Sequence, residues 1–197
     1  MMTDASGDRS VGEAGERLGK YLTLKAFCTC TQTYQRFADQ INPWPQQAES
    51  LQALKDLNQN VLDPLIDQFG WESFRLTYGF CSVELKRFLA QRDPATGEKY
   101  GRVDPSRDQH MAHEKNRNGR YYCSRLGAAC DFFIEGVQCN YILDWILATK
   151  LPFDSLYYYG SARPLHISYG PEHKRALWTF TLAGTPTRRG LEQWLGR

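Results

Sequence analysis

Two short runs carry side chains able to hold a metal ion. Gly127-Ala128-Ala129-Cys130-Asp131-Phe132-Phe133-Ile134 sets one carboxylate in an apolar stretch, and Arg163-Pro164-Leu165-His166-Ile167-Ser168-Tyr169 sets one imidazole in another. If both stretches are strands and lie side by side, Asp131 and His166 face each other. They would then supply two of the three protein ligands of a water-activating zinc ion, whose fourth position stays open. Gly127 and Ala129 are small, as close backbone packing around such a site requires. The competing reading makes Asp131 a strand-edge carboxylate bonded to backbone amides and His166 a satisfied core histidine.

The elements that must position these residues follow from hydrophobic period. Apolar alternation predicts strands at about 74–80, 128–134, 155–160, 164–169 and 176–182, with a helix at about 137–149. Leu51, Leu54, Leu57, Val61, Leu62, Leu65, Ile66 and Phe69 recur at three and four, which predicts a helix over 48–69, kinked or divided at Pro64 and ended by Gly70. Ser82 reads as an N-cap with Leu85, Phe88 and Leu89 behind it, and 92–107 as a polar loop holding Asp93-Pro94 and Asp104-Pro105. Tyr21 to Phe27 alternates like a short strand. Tyr157-Tyr158-Tyr159 alternates faces, so some of its rings either line a pocket or pack. The expected class is α+β, a mostly antiparallel sheet packed on helices, with residues 1–19 disordered and 20–197 forming a single domain.

Composition excludes little. The chain has 197 residues, 42% hydrophobic, enough to bury a full core. Its 24 basic and 22 acidic side chains leave a net charge of +2, no field for nucleic acid or an anionic membrane. The polar N-terminal stretch has neither the apolar core of a signal peptide nor a spanning segment, which implies a cytoplasmic protein. Cys28, Cys30, Cys81, Cys123, Cys130 and Cys139 form no Cys-x-x-Cys pair and read as reduced structural thiols. The tail from Arg188 to Arg197, with Trp194, is basic and aromatic, and a solvated helix suits it better than a nucleic-acid contact.

Gly127, Ala129, Asp131, His166 and Ser168 together resemble the motifs of the M15 zinc D-alanyl-D-alanine peptidases and phage endolysins, which share a fold with the Hedgehog signalling domain. Those proteins carry Ser-x-His-x-x-Gly-x-Ala-x-Asp and then Glu-x-Trp-His-x-Ser. The resemblance covers roughly 48–180 and includes Thr77-Tyr78-Gly79-Phe80-Cys81-Ser82, where the family has Ser-Gly-Tyr-Arg-Ser. It implies a Zn2+ site and a hydrolase acting on a peptide amide bond, with peptidoglycan-derived substrates in view.

The resemblance also locates the remaining roles. The family's first histidine falls on Ser124, and Asp108-Gln109-His110 looks like the Ser-x-His element displaced by an inserted loop over 111–126, which costs little at a surface. His110 is therefore the first choice for third ligand. His113, one helical turn on, could replace it or support a neighbouring ligand, and Cys123 is a weaker candidate. The order His-x-x-His-Glu is not a zincin motif, and a solvated polar helix would also explain it. The family's general base, a glutamate three residues before the last histidine, falls on Arg163, so Glu114 beside the histidines is the candidate base. Cys81 occupies the place of a substrate-holding arginine, and Arg163 could bind an anionic substrate instead, with Tyr78 and Ser168 nearby. Two alternatives stand beside the peptidase reading: a metal-dependent enzyme on an anionic metabolite or nucleotide, and a non-catalytic binding module.

Overall fold

The computed structural model describes residues 11–180 and the backbone of 186–187. Among the described residues six strands form one sheet: β1 (Phe74–Tyr78), β2 (Ala128–Ile134), β3 (Ser155–Tyr158), β4 (Leu165–Tyr169), β5 (Ala176–Phe180) and β6 (Pro186–Thr187), ordered β1-β2-β4-β3-β5-β6. Every neighbouring pair is antiparallel except β3 and β5, which run parallel. The fold is α+β, as the sequence predicts, and the five strands expected from residue 74 onward are present within a few residues of their expected bounds.

One face of the sheet is core. Cys130, Phe132, Ile134, Leu156, Leu165, Ile167 and Leu177 meet the apolar sides of α3 (Ala48–Leu57), α4 (Asp63–Phe69) and α6 (Cys139–Ala148). At about 25 cal/mol per Å² of apolar surface, this contact dominates the stabilisation. Between α3 and α4 the helix widens to a π turn over Asn58–Leu62. Pro64 has no N–H to donate back along the helix, so its influence, expected as a kink, is absorbed by this register change. Gly70, at φ 92°, ends α4 in a conformation that favours glycine.

Two local expectations are corrected. The stretch 21–27 contains the helix α1 (Leu24–Cys28) and no strand, because Thr23 caps it through the Ala26 N–H and Leu24, Phe27 and Cys28 then fall on one buried side. Alternation and a single helical turn share apolar positions over so short a window. Residues 11–19, expected to be disordered, lie against the fold: Leu18 is fully buried and its N–H donates to the Leu22 carbonyl at 3.0 Å. Residues 1–10 and the basic tail lie outside the described residues.

A short helix, α2 (Gln32–Arg36), leads toward a second apolar cluster. That cluster, comprising Ile41, Cys81, Val83, Leu85, Phe88, Leu89 and Met111, is built around α5 (Val83–Leu89). Ser82 caps α5 by accepting the Leu85 N–H, as expected. The cluster supports the start of the long segment between α5 and β2. Among the described residues no helix is long and apolar enough to cross a membrane, and all six cysteines are free.

Candidate metal centre

The other face of the sheet carries the polar chemistry in a single row. Register pairs Tyr78 with Asp131, Asp131 with His166, His166 with Tyr157 and Tyr157 with Trp178, one residue from each of five strands. Paired residues in a sheet point to the same side, so the row forms a continuous strip. Tyr78 joins it through an irregularity between Leu76 and Tyr78. Leu76 faces the core opposite Phe132, and strict alternation would send Tyr78 the same way; the extra residue turns it toward Asp131.

His110 reaches this strip from the segment between α5 and β2. Its Nδ1 bonds the Gly79 carbonyl at 2.8 Å, and its own carbonyl accepts the Cys81 N–H at 2.8 Å. With Nδ1 donating to a carbonyl, Nε2 of the neutral ring keeps its lone pair for a metal ion, the arrangement that orients metal-binding histidines generally. Gly79 makes this possible because a Cβ there would lie 2.1 Å from the Phe27 carbonyl oxygen. Gln109 fixes the backbone next to His110 by donating to the Leu126 carbonyl and the Asp154 carboxylate.

The result is a compact trio. One ligand atom from each of His110, Asp131 and His166 lies within 4.8 Å of the others. Asp131 Oδ1 is 3.5 Å from His110 Nε2 and 2.7 Å from His166 Nδ1. Two ligands on one tetrahedral zinc ion are about 3.3 Å apart at ordinary bond lengths. The two distances from Asp131 bracket this value, and all three ligand atoms lie within 4.8 Å of one another. Two imidazoles and a carboxylate form a donor set that suits a borderline divalent ion, zinc and iron(II) among them.

Without an ion, the charge of Asp131 is met by a proton on His110, which a metal ion would have to displace from Nε2. Burial disfavours a charged His110, yet the charge and hydrogen bond of Asp131, with Asp108 and the Gly79 carbonyl, push its pKa up to about 9. Burial likewise opposes ionised Asp131, but His110 and His166 hold it well below the usual carboxylate range. The surroundings of Asp131 thus favour positive charge beside it. His166 Nε2 is buried with no hydrogen-bond partner, so in either tautomer one ring nitrogen of this buried imidazole lacks a protein bond.

The trio forms one wall of an open cavity of about 290 Å³. Tyr78, Tyr157 and Tyr159 give it aromatic walls, and Arg102, Arg107 and Asp108 stand around it. Tyr157 stacks on His166 with ring centres 4.4 Å apart, and Tyr78 meets His110 edge-on at 4.5 Å. A three-ligand centre with a cavity in front of it has room for water and substrate, as a closed four-ligand structural site does not.

Other residues expected at the site lie elsewhere. His113 is directed away: its Nε2 accepts the Gly127 N–H at 3.1 Å. Glu114 is fully buried, and one oxygen accepts from the Gln46 and Gln47 N–H groups and the Ser50 hydroxyl. It caps α3, whose own N-cap residue Gln47 makes no side-chain bond, so the carboxylate sits at a helix N-terminus and not at the trio. Burial raises its pKa, and those three bonds offset only part of the rise. Arg163 is exposed beside Phe133, Val137 and Cys139 in a different groove. Ser168 shares the face of His166, but its hydroxyl is taken by the Ser155 N–H. Cys123 is a buried thiol whose pKa burial raises. Of the expected residues, the structure brings together His110, Asp131, His166 and Tyr78.

Arg102, Arg107 and the aromatic strip through Tyr157 and Trp178 escaped the motif reading, and Asp108 entered it only as part of the element carrying His110. The alternation of Tyr157 to Tyr159 was the one sequence signal that pointed toward part of it. Compared with known proteins, the chain matches no protein family, no curated protein and no solved structure.

Proposed function

We propose that His110, Asp131 and His166 bind one zinc ion and that the chain is a metal-dependent hydrolase acting on an amide bond of a peptide-like, anionic substrate. The convergence of the three donors at an open cavity is the observation that carries this reading. When bound, the ion would supply Lewis-acid polarisation of a carbonyl and activation of water. His110 and His166 would hold it from two sides, with Gly79 and Tyr157 fixing their ring planes. Asp131 would balance its charge. Arg102 and Arg107 stand at the cavity, but Asp104, which also lines it, pairs with Arg102 at 2.9 Å and lies 3.5 Å from Arg107, so the anionic character of the substrate rests on the neighbouring cavity described below. The M15-like motif residues favour a peptide, with cell-wall fragments as the first substrates to test.

One observation supports a second reading. The family's glutamate position holds Arg163, which points into another groove, and Glu114 is committed to α3. A module that keeps the metal and binds its ligand without cleaving it fits those two facts.

The deciding experiment is elemental mass spectrometry of the purified chain beside Asp131→Ala, His166→Ala, His110→Ala and His113→Ala, followed by incubation with peptidoglycan fragments. About one zinc per chain is expected, lost in the first three variants and kept in the fourth. A wild-type chain that neither carries zinc nor takes it up would end the metal reading. Zinc retention without cleavage of any fragment would favour the binding module.

A further inference from the structure

Beside the trio's cavity lies a second one of about 310 Å³, lined by Ser106, Arg107, Arg125, Tyr157, Trp178 and Phe180. The two cavities share Arg107, Tyr157 and Phe180, so they meet along one wall. Tyr157 belongs to both: its ring stacks on His166 and meets Phe180 edge-on at 5.7 Å. A ligand seated in the second cavity therefore lies next to the trio.

Arg125 is the unusual member. Its guanidinium is half-buried, and its partners are the Ser155 hydroxyl at 3.2 Å, the Arg107 carbonyl and the side chains of Tyr157 and Cys123, none of them a carboxylate. Its Nε is buried with no partner at all. The ionisable groups acting on it are Tyr157 and Cys123, and among the described residues no carboxylate pairs with it. A charge withdrawn from water in this way is costly unless an anion completes it. Arg107, whose carbonyl accepts from both Arg125 and Tyr157, places a second guanidinium on the same cavity, held to Asp104 only at 3.5 Å.

We propose that this second cavity is an anion subsite, in which Arg125 and Arg107 take the carboxylate or phosphate of a ligand whose planar or apolar body rests against Tyr157, Trp178 and Phe180. The planar guanidinium fork matches both anions, and aromatic walls suit the body that carries them. The subsite deepens the hydrolase reading by naming its substrate class. Substrates enter with an anionic group in this cavity and the neighbouring bonds extended past Tyr157 to the trio. The anion contact that the sequence suggested for Arg163 falls here to residues of the polar loop and of the segment before β2.

The test is calorimetric titration of the full chain with benzoate, phenyl phosphate and uncharged benzamide, with zinc added and after chelation. At least one anion should bind about tenfold or more tightly than benzamide, the difference expected for a hydrogen-bonded charge. Which anion binds better assigns the group to carboxylate or phosphate. Arg125→Gln should abolish the preference, and Arg125→Lys should restore part of it. Should Arg125→Gln fail to fold, judged by near-ultraviolet circular dichroism, Arg107→Gln and Trp178→Leu serve in its place, each expected to weaken anion binding at least about threefold. Equal binding of benzamide and both anions would overturn the subsite, as would a full preference in folded Arg125→Gln or in both replacement variants. Anion preference in a chain that takes up no zinc would keep the subsite and end the metal reading; zinc uptake with no anion preference would do the reverse.

Discussion

His110 and His113 are three residues apart, and each has a buried or partly buried carboxylate in its neighbourhood, but the two regions they enter are opposites. Around Glu114 every strong contact of the bound oxygen is a protein donor, two backbone amides and a hydroxyl, and the His113 ring is used by the Gly127 amide. Each region keeps a buried atom without a partner, Glu114 Oε2 in the first and His166 Nε2 in the second, but around Asp131 the contacts are imidazoles and a cavity opens in front. A carboxylate surrounded by amides holds a helix in place; one surrounded by imidazoles at an opening has the donors to hold a cation. Residue type and spacing do not distinguish the two. The donors that the fold brings to each do.

The comparison breaks most directly at Asp131. Asp131→Ala should reduce zinc affinity by more than about 100-fold, since loss even of a residue that only supports a ligand costs 10–100-fold. Competition against a chelating dye would measure it, and near-wild-type affinity would make the trio an ordinary polar cluster. Glu114→Ala should show the converse. Removing the acceptor of the buried Ser50 hydroxyl and of the part-buried Gln46 and Gln47 amides should cost roughly 1–2 kcal/mol of folding stability in urea titration, with zinc stoichiometry unchanged. Loss of zinc from a folded Glu114→Ala chain would merge the two regions.

His113→Ala sharpens the contrast on a smaller scale. It should cost about 1 kcal/mol, the value of one neutral hydrogen bond to the Gly127 amide, and leave the zinc titration as in wild type. Arg163→Gln should have the least effect. Being exposed and in a separate groove, it should change stability by no more than about 0.5 kcal/mol and leave binding of benzoate and zinc unaltered. An Arg163→Gln chain with weakened benzoate binding would return the anion role to that residue.

The contrast also marks where motif reading works. Asp131 and His166 were legible because each sits in a strand whose alternation fixes its face, and adjacent antiparallel strands leave few registers. Glu114 and Arg163 misled because their roles rested on positions in a chain that departs from the motif, and loops do not carry a period. Tyr78 was named from the motif segment, but the irregularity that turns it toward Asp131 depends on pairing with β2. Arg125 left no trace in any pattern, since an arginine in a polar segment looks the same whether solvated or half-buried.

By itself the sequence determined the α+β class, the positions of β1 to β5 within a few residues, the long helix interrupted near Pro64, the Ser82 cap, and two of the three side chains of the trio. These follow from local physics: period, caps and breakers act over a few residues and need no knowledge of the rest. Only the tertiary structure decided that His110 and not His113 completes the trio, that Glu114 caps α3, and that Arg107 and Arg125 stand beside a second cavity. Those outcomes depend on contacts between segments far apart in the chain, such as Gly79 against Phe27 and Gln109 against Asp154, and local pattern does not encode such long-range pairing.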